Sequence, residues 1–187
     1  MNLFLIGFRG TGKTSVGRAL SRHLNWSFVD MDDILAAEAG HSIADMVRDH
    51  GWAYFREQER RLLRRLAAGR RQVVGTGGGV ILLPENVAAL RSSGTVVWLR
   101  AGGDTIKHRL ARDPRSAAFR PSLTAGGAAD EIDALLAARA PLYQSAMHLA
   151  VDTDDRSVAE LCERIIQELD RIGFDLQGSI GFRTDPK

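Results

Sequence analysis

Gly7, Gly12, Lys13 and Thr14 stand in the order G-x-x-x-x-G-K-T within "GFRGTGKT", directly after the apolar run "NLFLI" and before "SVGRALSRHL". That spacing suits phosphate binding. Gly10 and Gly12 carry no Cβ, so backbone N–H groups can face a phosphate, and the N-terminus of the following helix adds positive potential. Lys13 sets a charge against the β- and γ-phosphates of a nucleotide, and Thr14 offers a hydroxyl to Mg2+. A glycine-rich turn with an incidental lysine is the plain alternative. The strand before and the amphipathic helix after argue against it.

A phosphate loop does not say where a phosphoryl group goes. In "SFVDMDDIL", Asp30 and Asp32 fall at the end of a second strand, two positions apart, which in an extended segment points both side chains to one side. Ligands of a parallel sheet gather at the carboxyl ends of its strands. One carboxylate near Mg2+ and one near an acceptor hydroxyl would serve transfer to an alcohol. The alternative is that these acids cap the next helix, a role expected of Asp33. Gly77, Gly78 and Gly79, after a third strand, leave bare backbone able to approach a small polar ligand, or form only a flexible turn. Arg56, three residues before Glu59 and four after Trp52, and Arg139 in "LLAARAPLY" sit in apolar surroundings. Arginines so placed bind carboxylates in bidentate fashion or form structural ion pairs, and Glu59 is positioned to orient Arg56. "ARDPRSAAFRPSLTAGG" reads as a surface loop bearing Arg112, Arg115 and Arg120. Arg120, just before Pro121, is the candidate for a mobile lid, against a plain solvated loop.

These residues need a scaffold that brings distant stretches to one edge. "NLFLI", "SFV", "QVVGT", "TVVWL" and "HLAVD" read as five short strands alternating with helical segments. Ser42 and Pro84 mark helix starts, and Gly51, Gly69 and Gly94 lie just past helix ends. The pattern predicts an α/β fold: a five-stranded, mainly parallel sheet sandwiched by helices, with a lid loop. Residues 1–172 are expected to form a single domain with its lid at about 112–126, and 173–187 a flexible tail.

The 187 residues include 22 Arg and 3 Lys, and a formal charge of +2 implies neither nucleic acid nor membrane as a partner. In "RRLLRRLAAGRR", Arg60, Arg61, Arg64 and Arg65 form a helical stripe opposite Leu62, Leu63 and Leu66, with no aromatic residues interleaved. A solvated helix face is expected there. Cys162, in "VAELCERII", reads as a buried helical thiol. No run approaches the roughly 18 apolar residues of a spanning helix. "MNLFLIG" lacks the features of a signal peptide, so a cytoplasmic location is expected.

Six motifs in order, "GFRGTGKT", "DMD", "FR", "GGG", "RP" and "RAPLY", resemble the pattern of the shikimate kinase family from Asn2 to about Asp154. The resemblance implies a P-loop fold of the nucleoside-monophosphate-kinase type. It also implies transfer of the γ-phosphoryl group of ATP to the 3-hydroxyl of shikimate, on the route to chorismate and the aromatic amino acids. By position, Gly10, Thr11, Gly12, Lys13, Thr14 and Ser15 would hold the ATP phosphates. Thr14 would ligate one Mg2+ ion, which Asp30 would reach through water. Asp32 would bind the substrate hydroxyls and act as base, forming the catalytic set with Lys13 and Arg120. Arg56 and Arg139 would hold the substrate carboxylate, with the Gly77, Gly78 and Gly79 backbone alongside. Arg120 would close over the phosphates, and Arg109 would approach the adenine. ATP and shikimate are then the expected partners, and a monomer the expected state. The chain departs from the family in the methionine of "DMD", often threonine, and in "RPSL" for R-P-L-L.

Two rivals stand beside this reading. Gluconate kinase shares the phosphate loop and general fold, but leaves Gly77–Gly79 with Arg56 and Arg139 unexplained. A nucleotide-binding regulatory module without turnover has no need of Lys13, Asp32 and Arg120 together.

Overall fold

The computed structural model describes residues 1–113 and 129–174. Its strands are β1 (Asn2–Ile6), β2 (Ser27–Asp30), β3 (Gln72–Gly75), β4 (Gly94–Arg100) and β5 (Leu149–Asp152). Among the described residues they form one sheet in the order β2-β3-β1-β4-β5, and every neighbouring pair is parallel. β1 is the middle strand and is buried throughout, which explains an apolar run without polar alternation. The helices are α1 (Lys13–Leu24), α2 (Met31–Ala39), α3 (Ile43–Ala67), α4 (Pro84–Ser93), α5 (Gly103–Arg112), α6 (Ala129–Ala146) and α7 (Val158–Arg171). A short 3-10 turn, Val80–Leu82, follows the glycine triplet. All five expected strands are present. The two helices expected either side of Gly51 run on as α3, with a left-handed break at Gly51 (φ 81°, ψ 168°) between them.

Period-two alternation divides the strands' side chains between two cores. Leu3, Leu5, Val73, Val97 and Leu99 pack on Val16 and Leu20 of α1 and on Leu161, Ile165 and Leu169 of α7. Phe4, Ile6, Val74 and Val96 pack on the opposite face against Met31, Leu63, Leu90 and Tyr143, drawn from α2, α3, α4 and α6. Cys162 is buried in the first core, as its pattern indicates. Phe174 closes that core against Trp26, with ring centroids 6.1 Å apart, so packing continues two residues past position 172. Most of the expected lid, with Arg115 and Arg120, and the remainder of the expected tail lie outside the described residues. On α3, Leu62, Leu63 and Leu66 are buried, while Arg60 and Arg61 pair with Glu57 and Arg65 pairs with Glu38.

α4 passes into β4 without a loop, through Gly94, which pairs with Asn2 across the sheet. A Cβ on Gly94 would fall inside van der Waals contact of the Asn2 carbonyl and 2.9 Å from the Phe4 ring. Backbone cannot yield as a side-chain tip can. Gly94→Ala is therefore expected to cost about 1–3 kcal/mol of stability, seen as a lower urea midpoint at unchanged m value.

Candidate active site

Between β1 and α1 the chain takes positive φ at Gly7 (143°), Gly10 (81°) and Gly12 (88°). These turns wind the loop into a concavity that ends at the N-terminus of α1. The buried Thr11 hydroxyl donates to the Phe8 carbonyl at 2.8 Å, so its side chain pins the loop from within. Lys13 Nζ donates to the carbonyls of Gly7 and Phe8, each at 2.8 Å, which holds the ammonium against the loop. Thr14 Oγ1 donates to Asp30 Oδ2 at 2.8 Å. A hydroxyl and a carboxylate together at the rim of a phosphate loop are the hard oxygen donors that suit Mg2+, which takes its other ligands from phosphates and water. Gly10, Gly12, Lys13, Thr14 and Ser15 line a cavity of about 370 Å³ with Asp30, Asp32 and Arg109.

Asp30 and Asp32 reach that cavity, but not through strand alternation. β2 stops at Asp30 and α2 begins at Met31, so Asp32 lies in the first helical turn. Asp30 is itself the helix cap, its Oδ1 accepting from Asp32 N at 3.1 Å. The cap expected at Asp33 is thus at Asp30, because the helix begins directly after the strand. Asp33 is exposed in the first turn, where its charge complements the helix dipole.

A second cavity, of about 340 Å³, shares Lys13 and Asp32 with the first. Its size is that of a small-molecule site. Arg56, Gly77, Gly78, Gly79 and Arg139 all line it, so residues far apart in sequence meet at one wall. Arg139, from α6, stacks its guanidinium 5.5 Å above the Phe8 ring and donates to the Gly78 carbonyl at 3.4 Å. Tyr143, one turn on, donates to the same oxygen at 2.6 Å. The Tyr143 ring stacks on Trp98, with centroids 5.5 Å apart, and burial holds its phenol well above the ordinary range. Two donors from one helix fix the plane of that glycine peptide. Trp52 lines the same cavity and packs edge-on against Phe55. Arg109 donates to the Thr153 carbonyl at 2.7 Å and to the Gly10 carbonyl at 3.3 Å, tying the phosphate loop to the chain after β5.

Glu59 is the acid whose place in the wall the sequence understated. It is 1 % exposed, and its Oε1 is buried without a hydrogen-bond partner. Arg56 acts on it through charge rather than through a hydrogen bond at that oxygen. Burial pushes the Glu59 carboxyl up to about 8, the Asp32 charge adds to the rise, and Arg56 and Arg139 oppose it. A Cβ on Gly77 would overlap Glu59 Oε1 and come within 3.2 Å of Asp32 Oδ1. With glycine at 77 the two carboxyls keep their present positions beside this backbone. Helical spacing held a signal for Glu59, since Phe55, Glu59, Leu62 and Leu66 share one buried stripe. Arg9, also in the wall, occupies a variable position of the loop motif and carried no such signal.

A family model described as Shikimate kinase matches residues 9–170. The shikimate kinase of Syntrophus aciditrophicus (strain SB) is 40% identical over 184 residues, covering 94% of this chain and 94% of its own length. That of Oleidesulfovibrio alaskensis is 47% identical over 150 residues, covering 80% of this chain and 87% of its own. Among solved structures, a shikimate kinase from Acinetobacter baumannii in complex with shikimate aligns with a TM-score of 0.85 at 30% identity, over 91% of this chain and 93% of that one.

The position of Glu59 makes stability depend on pH. Its carboxyl titrates near 8 in the fold against an ordinary 4.5, so between those values the native state holds a proton that the unfolded chain has lost. The stability contributed by Glu59 is full below pH 4.5 and is lost as pH rises toward 8. Urea unfolding at pH 5.5 and 8 is expected to show that loss in the native sequence and a smaller one in Glu59→Gln. Equal losses would remove Glu59 as the cause.

Proposed function

The chain belongs to the shikimate kinase family, and from that premise we propose that it transfers the γ-phosphoryl group of ATP to the 3-hydroxyl of shikimate, forming shikimate 3-phosphate and ADP. The observation that carries this reading is the junction of two cavities at Lys13 and Asp32. On one side lie the phosphate loop and the Thr14–Asp30 pair; on the other, two arginines and a glycine backbone suited to a small carboxylate.

The roles follow from position. Arg56 and Arg139 hold the substrate carboxylate, with the Gly78 backbone alongside, which leaves the ring hydroxyls toward Asp32. Asp32 accepts the proton of the 3-hydroxyl as its oxygen forms a bond to the γ-phosphorus. The bond from that phosphorus to the bridging oxygen breaks, and ADP leaves with the electron pair. Lys13 and the amides at the start of α1 stabilise charge on the phosphate oxygens. Thr14 and Asp30 would hold one Mg2+, which neutralises phosphate charge when bound. Arg109 borders the nucleotide side, and Arg120, outside the described residues, is assigned to closure over the phosphates. The enzyme is proposed to act as a monomer in the cytoplasm, with residues 1–172 as its kinase unit. Among the described residues, no helix is long and apolar enough to cross a membrane.

ADP release from Mg-ATP with shikimate, and with gluconate as control, tests the acceptor. Turnover with shikimate alone is expected, and turnover with gluconate alone would overturn the assignment. Asp32→Asn is expected to cut kcat at least about a hundredfold while nucleotide binding persists. Arg139→Ala is expected to raise the KM for shikimate more than about tenfold, the loss of a charge-assisted pair. Unchanged shikimate kinetics in that variant would remove Arg139 from the substrate site.

A further inference from the structure

The glycine triplet in the wall of the acceptor cavity has no side chains to orient it, and each of its carbonyls is engaged within the protein. Gly77 O accepts from Val80 N at 3.2 Å, and Gly79 O accepts from Leu82 N at 3.0 Å. Gly78 O accepts from the Tyr143 hydroxyl at 2.6 Å and from Arg139 Nη1 at 3.4 Å. What the triplet can offer a ligand is therefore its N–H groups. Among the described residues, those of Gly78 and Gly79 donate to no protein acceptor.

Tyr143 stands behind this wall rather than on it. Its side chain is 1 % exposed and stacks on Trp98, while Gly77, Gly78, Gly79 and Arg139 form the cavity surface. The Gly78 carbonyl, turned toward the phenol, thus points away from the cavity. In a trans peptide the N–H of the next residue points the opposite way, so that of Gly79 is directed into the cavity. Both torsions flanking this peptide belong to glycines, and no Cβ opposes its turning over. A reversed peptide would aim an acceptor oxygen at the place assigned to the substrate's carboxylate and leave a buried phenol without a partner. Resting on the shikimate reading, we propose that Tyr143 is a positioning residue for substrate binding: its hydroxyl fixes the Gly78–Gly79 peptide so that the amide, not the carbonyl, faces shikimate. The same bond releases Arg139. Because the tyrosine makes the shorter contact, Arg139 can turn its N–H groups to the substrate while the Gly78 oxygen stays satisfied. A tyrosine hydroxyl is protonated, and hence a donor, at neutral pH. The ATP phosphates lie on the other side of Lys13, so nucleotide binding should not depend on this hydroxyl.

Two measurements on the whole enzyme decide this. Tyr143→Phe keeps the ring and its stack on Trp98 and removes only the hydroxyl. The KM for shikimate is expected to rise about five- to tenfold in that variant, with kcat and the KM for ATP within about twofold of native. A purely structural role would instead lower the active fraction, cutting kcat and leaving both KM values in place. An unchanged KM for shikimate, equal rises in both KM values, or a fall in kcat alone would therefore overturn the inference and leave the substrate assignment standing. The second measurement needs no variant. In the 15N-labelled native enzyme the Gly79 amide resonance is expected to shift on saturation with shikimate, and a Gly79 resonance that does not move would also overturn the inference. Absence of any turnover of shikimate by the native enzyme would overturn the substrate assignment and this inference with it.

Discussion

The site depends on how β3 ends beside β1. The Leu5 carbonyl accepts from both the backbone N–H of Thr76, at 3.1 Å, and its hydroxyl, at 3.0 Å. Leu5 pairs with Gly75, and Gly75 pairs on its other edge with Asp30. Three chain segments therefore leave the sheet from one row: the phosphate loop, the glycine triplet and the strand-to-helix turn bearing Asp30 and Asp32. The loops then touch backbone to backbone. A Cβ added to Gly78 would stand 3.4 Å from Arg9 N and 3.5 Å from the Gly7 carbonyl oxygen. A parallel sheet makes this possible, since all its strands release their chain at the same edge.

From that row outward, helices supply the charges and fix their geometry. α3 contributes Arg56 and Glu59, separated by one turn, after the break at Gly51 has given its second half a separate start. α6 contributes Arg139 and Tyr143, also one turn apart, and both donate to the Gly78 carbonyl. Arginine suits this position better than lysine would. Its planar guanidinium can lie over the Phe8 ring and still present N–H groups to a neighbour. The result is a cavity whose two guanidinium groups, Arg56 and Arg139, are carried on helices.

Burial has opposite consequences for the acids. Asp30 is satisfied twice, by Thr14 and by the Asp32 amide, and so is held as an acceptor at the nucleotide side. Glu59 has an oxygen with no donor and almost no exposure, so its neutral form is favoured. The two acids are thus divided: Asp30 is held as a hydrogen-bond acceptor, while Glu59 favours keeping its proton.

The sequence by itself determined the elements and the reaction type. Strand and helix periods, the phosphate-loop spacing and the position of the glycine triplet all depend on neighbours along the chain, and local pattern records these. It also held the residues of the acceptor side, though only as separate fragments: Arg56, Gly78 and Arg139 have no spacing that relates them. Strand order brought them together, by placing β3 between β1 and β2, and no local period encodes that order. The cap at Asp30 rather than Asp33 was likewise a tertiary outcome, since β2 pairs with β3 through Asp30 and α2 must start at the next residue. Glu59 is the clearest division. Its helical spacing placed it on a buried stripe, but its proton affinity comes from desolvation and from Asp32, Arg56 and Arg139. Desolvation and the charges reaching Glu59 from other elements depend on distances through space, which the fold alone sets.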